Sequence, residues 1–141
     1  MSSTQIRIIL VDDHKMIRES WRSLLENNSL FKVIADCDNG LSAIGQAKEL
    51  IPDIMLVDIN MTPENGFDVA RQLARELPAI KVIGLSVNNQ PKYAVRMIEL
   101  GAKGYLTKTS SLEEITHGIT EVYKGNNYIC EEVRKNMNPA K

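Results

Sequence analysis

The sequence predicts an α/β domain: a doubly wound, five-stranded parallel sheet with five helices covering its two faces. Two observations predict it. Short apolar runs of strand length recur along the chain and alternate with segments whose apolar residues follow a helical period. The first run is also almost wholly apolar and alternates little, which is the pattern of a parallel strand buried on both faces. Parallel strands need crossovers long enough to hold a helix, and right-handed crossovers place those helices on the faces of the sheet. A chain of 141 residues suits one such domain with a proper core.

Ile6 to Val11 is almost wholly apolar and runs into Asp12-Asp13. His14 to Asn27 follows as an amphipathic helix, with Met16, Ile17, Ser20, Trp21, Leu24 and Leu25 on one stripe and Arg18, Glu19, Arg22 and Glu26 facing away. Trp21 reads as core and His14 as a surface residue at the helix start. Phe31 to Cys37 is the second apolar run. The turn residues Asp38-Asn39-Gly40 lead into a helix carrying Leu41, Ile44, Ala47, Leu50 and Ile51, which Pro52 closes. Asp53-Ile54-Met55-Leu56-Val57-Asp58 is an apolar strand that ends abruptly in a carboxylate. A loop from Ile59 to Asn65, then Gly66, precedes a helix with Phe67, Ala70, Leu73, Ala74 and Leu77 inward, stopped by Pro78.

Ile80 to Leu85 ends in Ser86, and Pro91 starts a helix that runs through Leu100 and is capped by Gly101. Gly104 to Thr107 ends in Lys108. Ser111 followed by Glu114 offers a capping box to the last helix, which runs to Lys124 and closes at Gly125. Residues 1–125 therefore make up the domain. Residues 126–141 fall outside the alternation as a tail or the start of a linker, with Tyr128-Ile129 briefly apolar and Glu131 to Asn136 forming a short polar helix.

The apolar fraction of 43%, the charged fraction of 25% and the net charge of -1 ask for neither nucleic acid nor an anionic membrane as a direct partner. Met1 to Gln5 lacks the basic start and apolar core of a signal peptide, and no apolar run approaches membrane-spanning length, so a cytoplasmic location is expected. Cys37 and Cys130 lie far apart without metal-ligand spacing and read as two reduced thiols.

In doubly wound sheets ligands bind outside the carboxyl ends of the strands, near the point where strand order reverses. Four of the five strands end in something chemical: Asp12-Asp13, Asp58, Ser86 and Lys108. Each has an ordinary explanation alone, as helix cap, turn acid, loop hydroxyl or solvated lysine. Their convergence on corresponding strand ends marks a site. Three carboxylates brought together repel unless a cation neutralises them, and an all-oxygen cluster favours hard Mg²⁺. A metal beside a free carboxylate, with Lys108 and Ser86 opposite, is an arrangement for phosphoryl transfer with Asp58 as the attacking group.

Val11-Asp12-Asp13-His14, Val57-Asp58-Ile59-Asn60-Met61, Leu85-Ser86-Val87 and Gly101-Ala102-Lys103-Gly104-Tyr105-Leu106-Thr107-Lys108 together resemble the receiver domain of two-component response regulators. The resemblance extends to about Val133. The last of these segments, with Gly125-Asn126-Asn127-Tyr128-Ile129, is most similar to the NarL/FixJ (LuxR-type) branch. It implies the flavodoxin-like receiver topology and a sensor histidine kinase as partner. Asp58 would be the phosphoacceptor, Asp13 and Asp58 would ligate Mg²⁺ by side chain, Asn60 by its backbone carbonyl and Asp12 largely through water. Ser86 and Lys108 would bind the phosphoryl oxygens, and Tyr105 would be the aromatic that moves inward when Ser86 is drawn to the phosphate. The only chemistry implied is the domain's own phosphorylation and dephosphorylation.

The family's usual proline comes one position before Pro63, although the loop Met61 to Asn65 keeps its length and Gly66 its place. LuxR-type regulators continue into a helix-turn-helix, so the expectation is a fragment whose DNA-binding domain is missing; the alternative is a stand-alone receiver acting as an interaction module. A dehalogenase-type phosphatase needs a second carboxylate two residues after the nucleophile, where this chain has Asn60. A flavodoxin-like FMN binder needs donors where Asp12-Asp13 would repel phosphate. The helix from Pro91 to Leu100 carries two apolar rows, Ala94 with Ile98 and Tyr93 with Met97 and Leu100, of which one is free to form a phosphorylation-strengthened homodimer; the first and last helices offer another face.

Hydrolysis of an aspartyl phosphate needs a water in line behind the phosphorus. In the resembling family the flanking side chains correspond to Asn60 and Asn88, two short amides that neither shield the phosphorus nor exclude water. A short-lived phosphoryl state is expected. First-order loss of phosphate after donor removal should be slower in Asn60→Arg and Asn60→Met than in wild type; equal or faster loss in both would show that this position does not gate hydrolysis.

Overall fold

The computed structural model describes residues 5–137. Its elements run β1 (Ile6–Val11), α1 (Lys15–Glu26), β2 (Phe31–Cys37), α2 (Gly40–Leu50), β3 (Ile54–Asp58), α3 (Gly66–Glu76), β4 (Lys81–Ser86), α4 (Pro91–Glu99), β5 (Gly104–Thr107), α5 (Leu112–Tyr123), β6 (Tyr128–Ile129) and α6 (Glu131–Met137). The sheet order is β2-β1-β3-β4-β5-β6. Every neighbouring pair is parallel. From β1 the chain winds first outward to β2 and then back through β3, so the order reverses between β1 and β3. That crevice lies between the strands that end in Asp12 and Asp58.

Covered faces explain the unbroken apolar runs. Ile8, Ile9, Leu10, Val11 and Ile54 through Val57 are all fully buried. Trp21 and Leu25 of α1, Ala43 and Ala47 of α2, and Val69 and Leu73 of α3 close over the sheet. Gly66 holds the start of α3 against the end of β3: a Cβ there would lie 2.6 Å from Ile59 Cα and 2.8 Å from the Asp58 carbonyl oxygen. Gly101 ends α4 with φ of +110°, a conformation open to glycine at little steric cost.

Five strands and five helices is one short of each. The segment after Gly125, which the sequence sets apart from the alternation, is built into the fold: β6 pairs with β5 in register Gly104 to Tyr128, and α6 packs against α4. Cys130 and Val133 are fully buried. Two residues could not reveal a strand by pattern, because period and run length need a longer window.

Several local expectations also differ, among them Ala74 of α3, which is exposed rather than inward. Met16 points outward, 81% exposed. Arg18 does not face away: its guanidinium donates from Nη1 to the Asp12 carbonyl (2.8 Å) and from Nε to Asp36 (3.1 Å), tying α1 to the ends of β1 and β2. Ser111 accepts from the Glu114 N–H as a cap should. The Glu114 carboxylate, however, turns away to accept from Tyr128 Oη (2.8 Å) and the Glu131 N–H (2.6 Å). The complete capping box belongs to α3, where Asn65 and Asp68 bond reciprocally. On α4, Ala94 and Met97 pack inward. α6 packs against α4, while Tyr93, Ile98 and Leu100 stay part-buried and Val95 exposed.

Val133→Ala tests whether this segment contributes to the fold. Loss of two buried methyl groups and the cavity they leave should lower unfolding stability by about 2 kcal/mol, measured by denaturant titration. An unchanged midpoint would mean that residues 131–137 behave as a free tail.

Candidate functional site

The carboxyl ends of β1, β3, β4 and β5 converge. Asp58 is fully buried and Asp12 is 1% exposed. Both Asp12 oxygens have partners: Oδ1 accepts from the His14 N–H (2.8 Å) and Oδ2 from Lys108 Nζ (2.8 Å). Lys108 Nζ also stands 3.3 Å from Asp58 Oδ2. That contact is an ion pair without hydrogen-bond alignment, since Asp58 Oδ2 is a buried atom with no hydrogen-bond partner, as is Asp13 Oδ1. Asp58 Oδ1 accepts from the Asn60 N–H (3.0 Å). Ligand atoms of Asp12, Asp13, His14 and Asp58 all lie within 4.8 Å of one another. His14 Nδ1 is 3.1 Å from Asp13 and 3.3 Å from Asp12. Orphaned carboxylate oxygens on two residues of one cluster fit a hard divalent cation, which would satisfy both.

On the other side of Asp58, the Ser86 hydroxyl donates to Asn60 Oδ1 (3.1 Å) and accepts from Asn88 N (2.9 Å) and Nδ2 (3.2 Å). Tyr105 is fully buried. Its hydroxyl donates to the Asn88 carbonyl (3.0 Å), and burial pushes its pKa up to about 12.

The response regulator receiver domain matches residues 8–120. This chain belongs to that family. DegU of Brevibacillus brevis, a transcriptional regulatory protein, is 31% identical over 97% of the chain and 58% of its own length. The response regulator GacA of Pseudomonas viridiflava is 32% identical over 94% of the chain and 62% of its own. The chain thus spans about three fifths of the curated relatives it matches. Among solved structures, a LuxR-family two-component response regulator from Aurantimonas sp. SI85-9A1 superposes with a TM-score of 0.91 at 27% identity, over 96% of both chains. The receiver domain of NarL from Mycobacterium tuberculosis gives 0.83 at 27% identity, over 88% of this chain and all of that one. These similarities put the receiver in the NarL/FixJ branch.

The receiver brings all the expected residues to one end of the sheet. Asp12, Asp13, Asp58 and Lys108 form its charged half. Asn60 and Asn88, expected to flank an incoming water, both direct their amides to Ser86. Tyr105 already points inward, and it is not on an edge strand because β6 lies beyond β5. Sequence reasoning missed Arg18, Asn89, Thr107 and Glu132. Glu132 Oε2 accepts from Asn89 Nδ2 (2.8 Å), and its Oε1 accepts from the hydroxyls of Thr107 (2.9 Å) and Thr109 (3.3 Å). Asn89 follows Asn88 and Thr107 precedes Lys108, so adjacency to the site residues was the one available signal.

Burial pushes the Asp58 carboxyl above its ordinary value, and the nearby Asp12 charge adds to this, against the opposing pull of the Asn60 N–H and Lys108. A raised carboxylate value means that the folded receiver holds this proton more tightly than the unfolded chain. Its stability therefore declines as pH rises from the ordinary carboxylate range through the raised value. Asp58→Asn removes the charge. Without metal, the variant should be more stable than wild type by about 1–3 kcal/mol at neutral pH, the scale of an incompletely satisfied buried polar group. The gap should vanish below the ordinary carboxylate range. Thermal unfolding against pH measures it, and a gap independent of pH would refute the assignment.

Proposed function

We propose that this receiver takes a phosphoryl group onto Asp58 from a phosphohistidine of a sensor histidine kinase, and that the modified state controls transcription through a DNA-binding domain of the same regulator. The observation that carries the proposal is Asp58 itself, a fully buried carboxylate at the strand-order reversal, placed between a lysine ammonium and two carboxylates. A structural acid would not require such surroundings. An Asp58 oxygen forms the bond to phosphorus while the phosphorus–nitrogen bond breaks, and the kinase imidazole leaves.

The Asn60 N–H fixes the orientation of the attacking carboxylate through Oδ1. Lys108, within reach of both Asp12 and Asp58, pairs its ammonium with the phosphoryl oxygens. Ser86 turns its hydroxyl to the same group, and Tyr105 holds the loop behind it. Asp13, Asp58 and the Asn60 carbonyl, with Asp12 through water, would hold Mg²⁺, which when bound would offset the repulsion between the carboxylates and an incoming phosphoryl group. Asn60 and Asn88 set the lifetime of the product. No turnover of a separate substrate is assigned.

DegU is named as a transcriptional regulator and dimers of the RcsB response regulator have been solved on DNA, which supports a transcriptional output and a homodimer for this receiver. With α6 against α4, the α1 and α5 face is the one assigned to dimerisation; Leu112 is half-exposed there. No helix among the described residues is long and apolar enough to cross a membrane, in keeping with the cytoplasmic location assigned here.

Incubation with acetyl phosphate and Mg²⁺ should add one phosphoryl group, seen by intact-mass spectrometry. Asp58→Asn and chelation of the metal should each abolish it. Labelling that survives both would sink the mechanism.

A further inference from the structure

Glu132 lies outside the phosphoryl site but joins the two loops that carry it. Its Oε2 holds Asn89 in the loop after β4, and its Oε1 holds Thr107 and Thr109 around Lys108. Asn136, one turn further along α6, donates to the Asn89 carbonyl (3.1 Å). In the other direction, Asn88 delivers two donors to Ser86 and its carbonyl receives Tyr105. A continuous chain of hydrogen bonds and one peptide bond therefore runs from Ser86 through Asn88 and Asn89 to Glu132 on α6. A second arm runs from Lys108 to Thr107 and the same carboxylate.

We propose that Glu132 is a positioning residue that couples the phosphoryl site to docking of α6, and that phosphorylation of Asp58 weakens that docking. The inference rests on the phosphoryl-acceptor reading given above. Ser86 has one proton, which it donates to Asn60. A phosphoryl oxygen is an anionic and stronger acceptor, so it takes that bond. The Asn88 donors follow Ser86, and Asn89, joined to Asn88 by a peptide bond, is drawn from Glu132 Oε2 and from Asn136. Lys108 shifts its contact from Asp12 to the phosphoryl group and carries Thr107 with it. Both grips on one carboxylate loosen together. By linkage, whatever loosens α6 first must favour the phosphoryl state by the same factor.

Beryllofluoride with Mg²⁺ serves as the phosphoryl mimic, and fluorine NMR reports its binding to the intact chain. With the mimic bound, amide exchange across residues 131–137 should quicken by about fivefold while the β1 and β3 amides stay protected. Glu132→Ala should already show fast α6 exchange and should bind the mimic about fivefold more tightly. Glu132→Gln, which keeps an acceptor for Thr107 but places an amide nitrogen or the same single oxygen toward Asn89, should fall between. A merely structural role would leave mimic affinity unchanged or lower it. Mimic binding with α6 exchange unchanged or slowed, or with equal affinity in wild type and Glu132→Ala, would overturn the coupling and leave the phosphoryl reading intact. A wild type that binds no mimic would overturn both.

Discussion

The placement of charge at one end of the sheet depends on a single buried ammonium. Lys108 Nζ lies 2.8 Å from Asp12 and 3.3 Å from Asp58, two carboxylates that are almost without solvent. Charges in such a place cost several kcal/mol each unless paired. Lys108 offsets part of that cost but hydrogen-bonds only Asp12, which leaves Asp58 Oδ2 and Asp13 Oδ1 without partners. The fold thus tolerates an incompletely neutralised site, and the residual negative charge is what a hard cation would complete. Strand order explains how three acids from two distant segments meet: β1 and β3 are neighbours, and their chain ends open at the same crevice.

The sequence made legible whatever was written in long patterns. Five strands, five helices, the strand-end acids, Ser86 and Lys108 all rest on apolar runs and their punctuation, and each lies where those signals put it. Features that depend on a side chain's final direction were not legible. Met16 sits on an apolar helical period but at the exposed start of α1. Arg18 belongs to the polar face yet reaches over the strand ends, because its long aliphatic stem lets the guanidinium travel to a carbonyl and a carboxylate. Glu114 has the spacing of a capping residue, but the Tyr128 hydroxyl and the Glu131 N–H compete for its oxygens and win.

The Ser86 hydroxyl shows the same limit at the site. Sequence reasoning treated Asn60 and Asn88 as independent flanks of a water path. In the fold both amides converge on Ser86, one accepting its proton and the other donating to its oxygen. Any group that competes for that hydroxyl must therefore displace an existing partner. The three residues are bonded as one unit, and a substitution at Asn60 alters the resting contacts of Ser86.

The C-terminal segment resolves a difficulty that a five-stranded sheet would leave open. With β5 at the edge, Gly104 to Thr107 would present unpaired backbone groups beside the buried Tyr105. β6 pairs with Gly104 and Tyr105 of that edge, and α6 packs against α4. Glu114 holds the beginning of this segment from α5, and Glu132 holds its helix to the loops after β4 and β5. β5, which carries Lys108 at its end, is consequently supported by residues that come after it in the chain. Support of that kind makes the position of α6 sensitive to the site, because the same loops cannot rearrange around a phosphoryl group and keep every contact to Glu132.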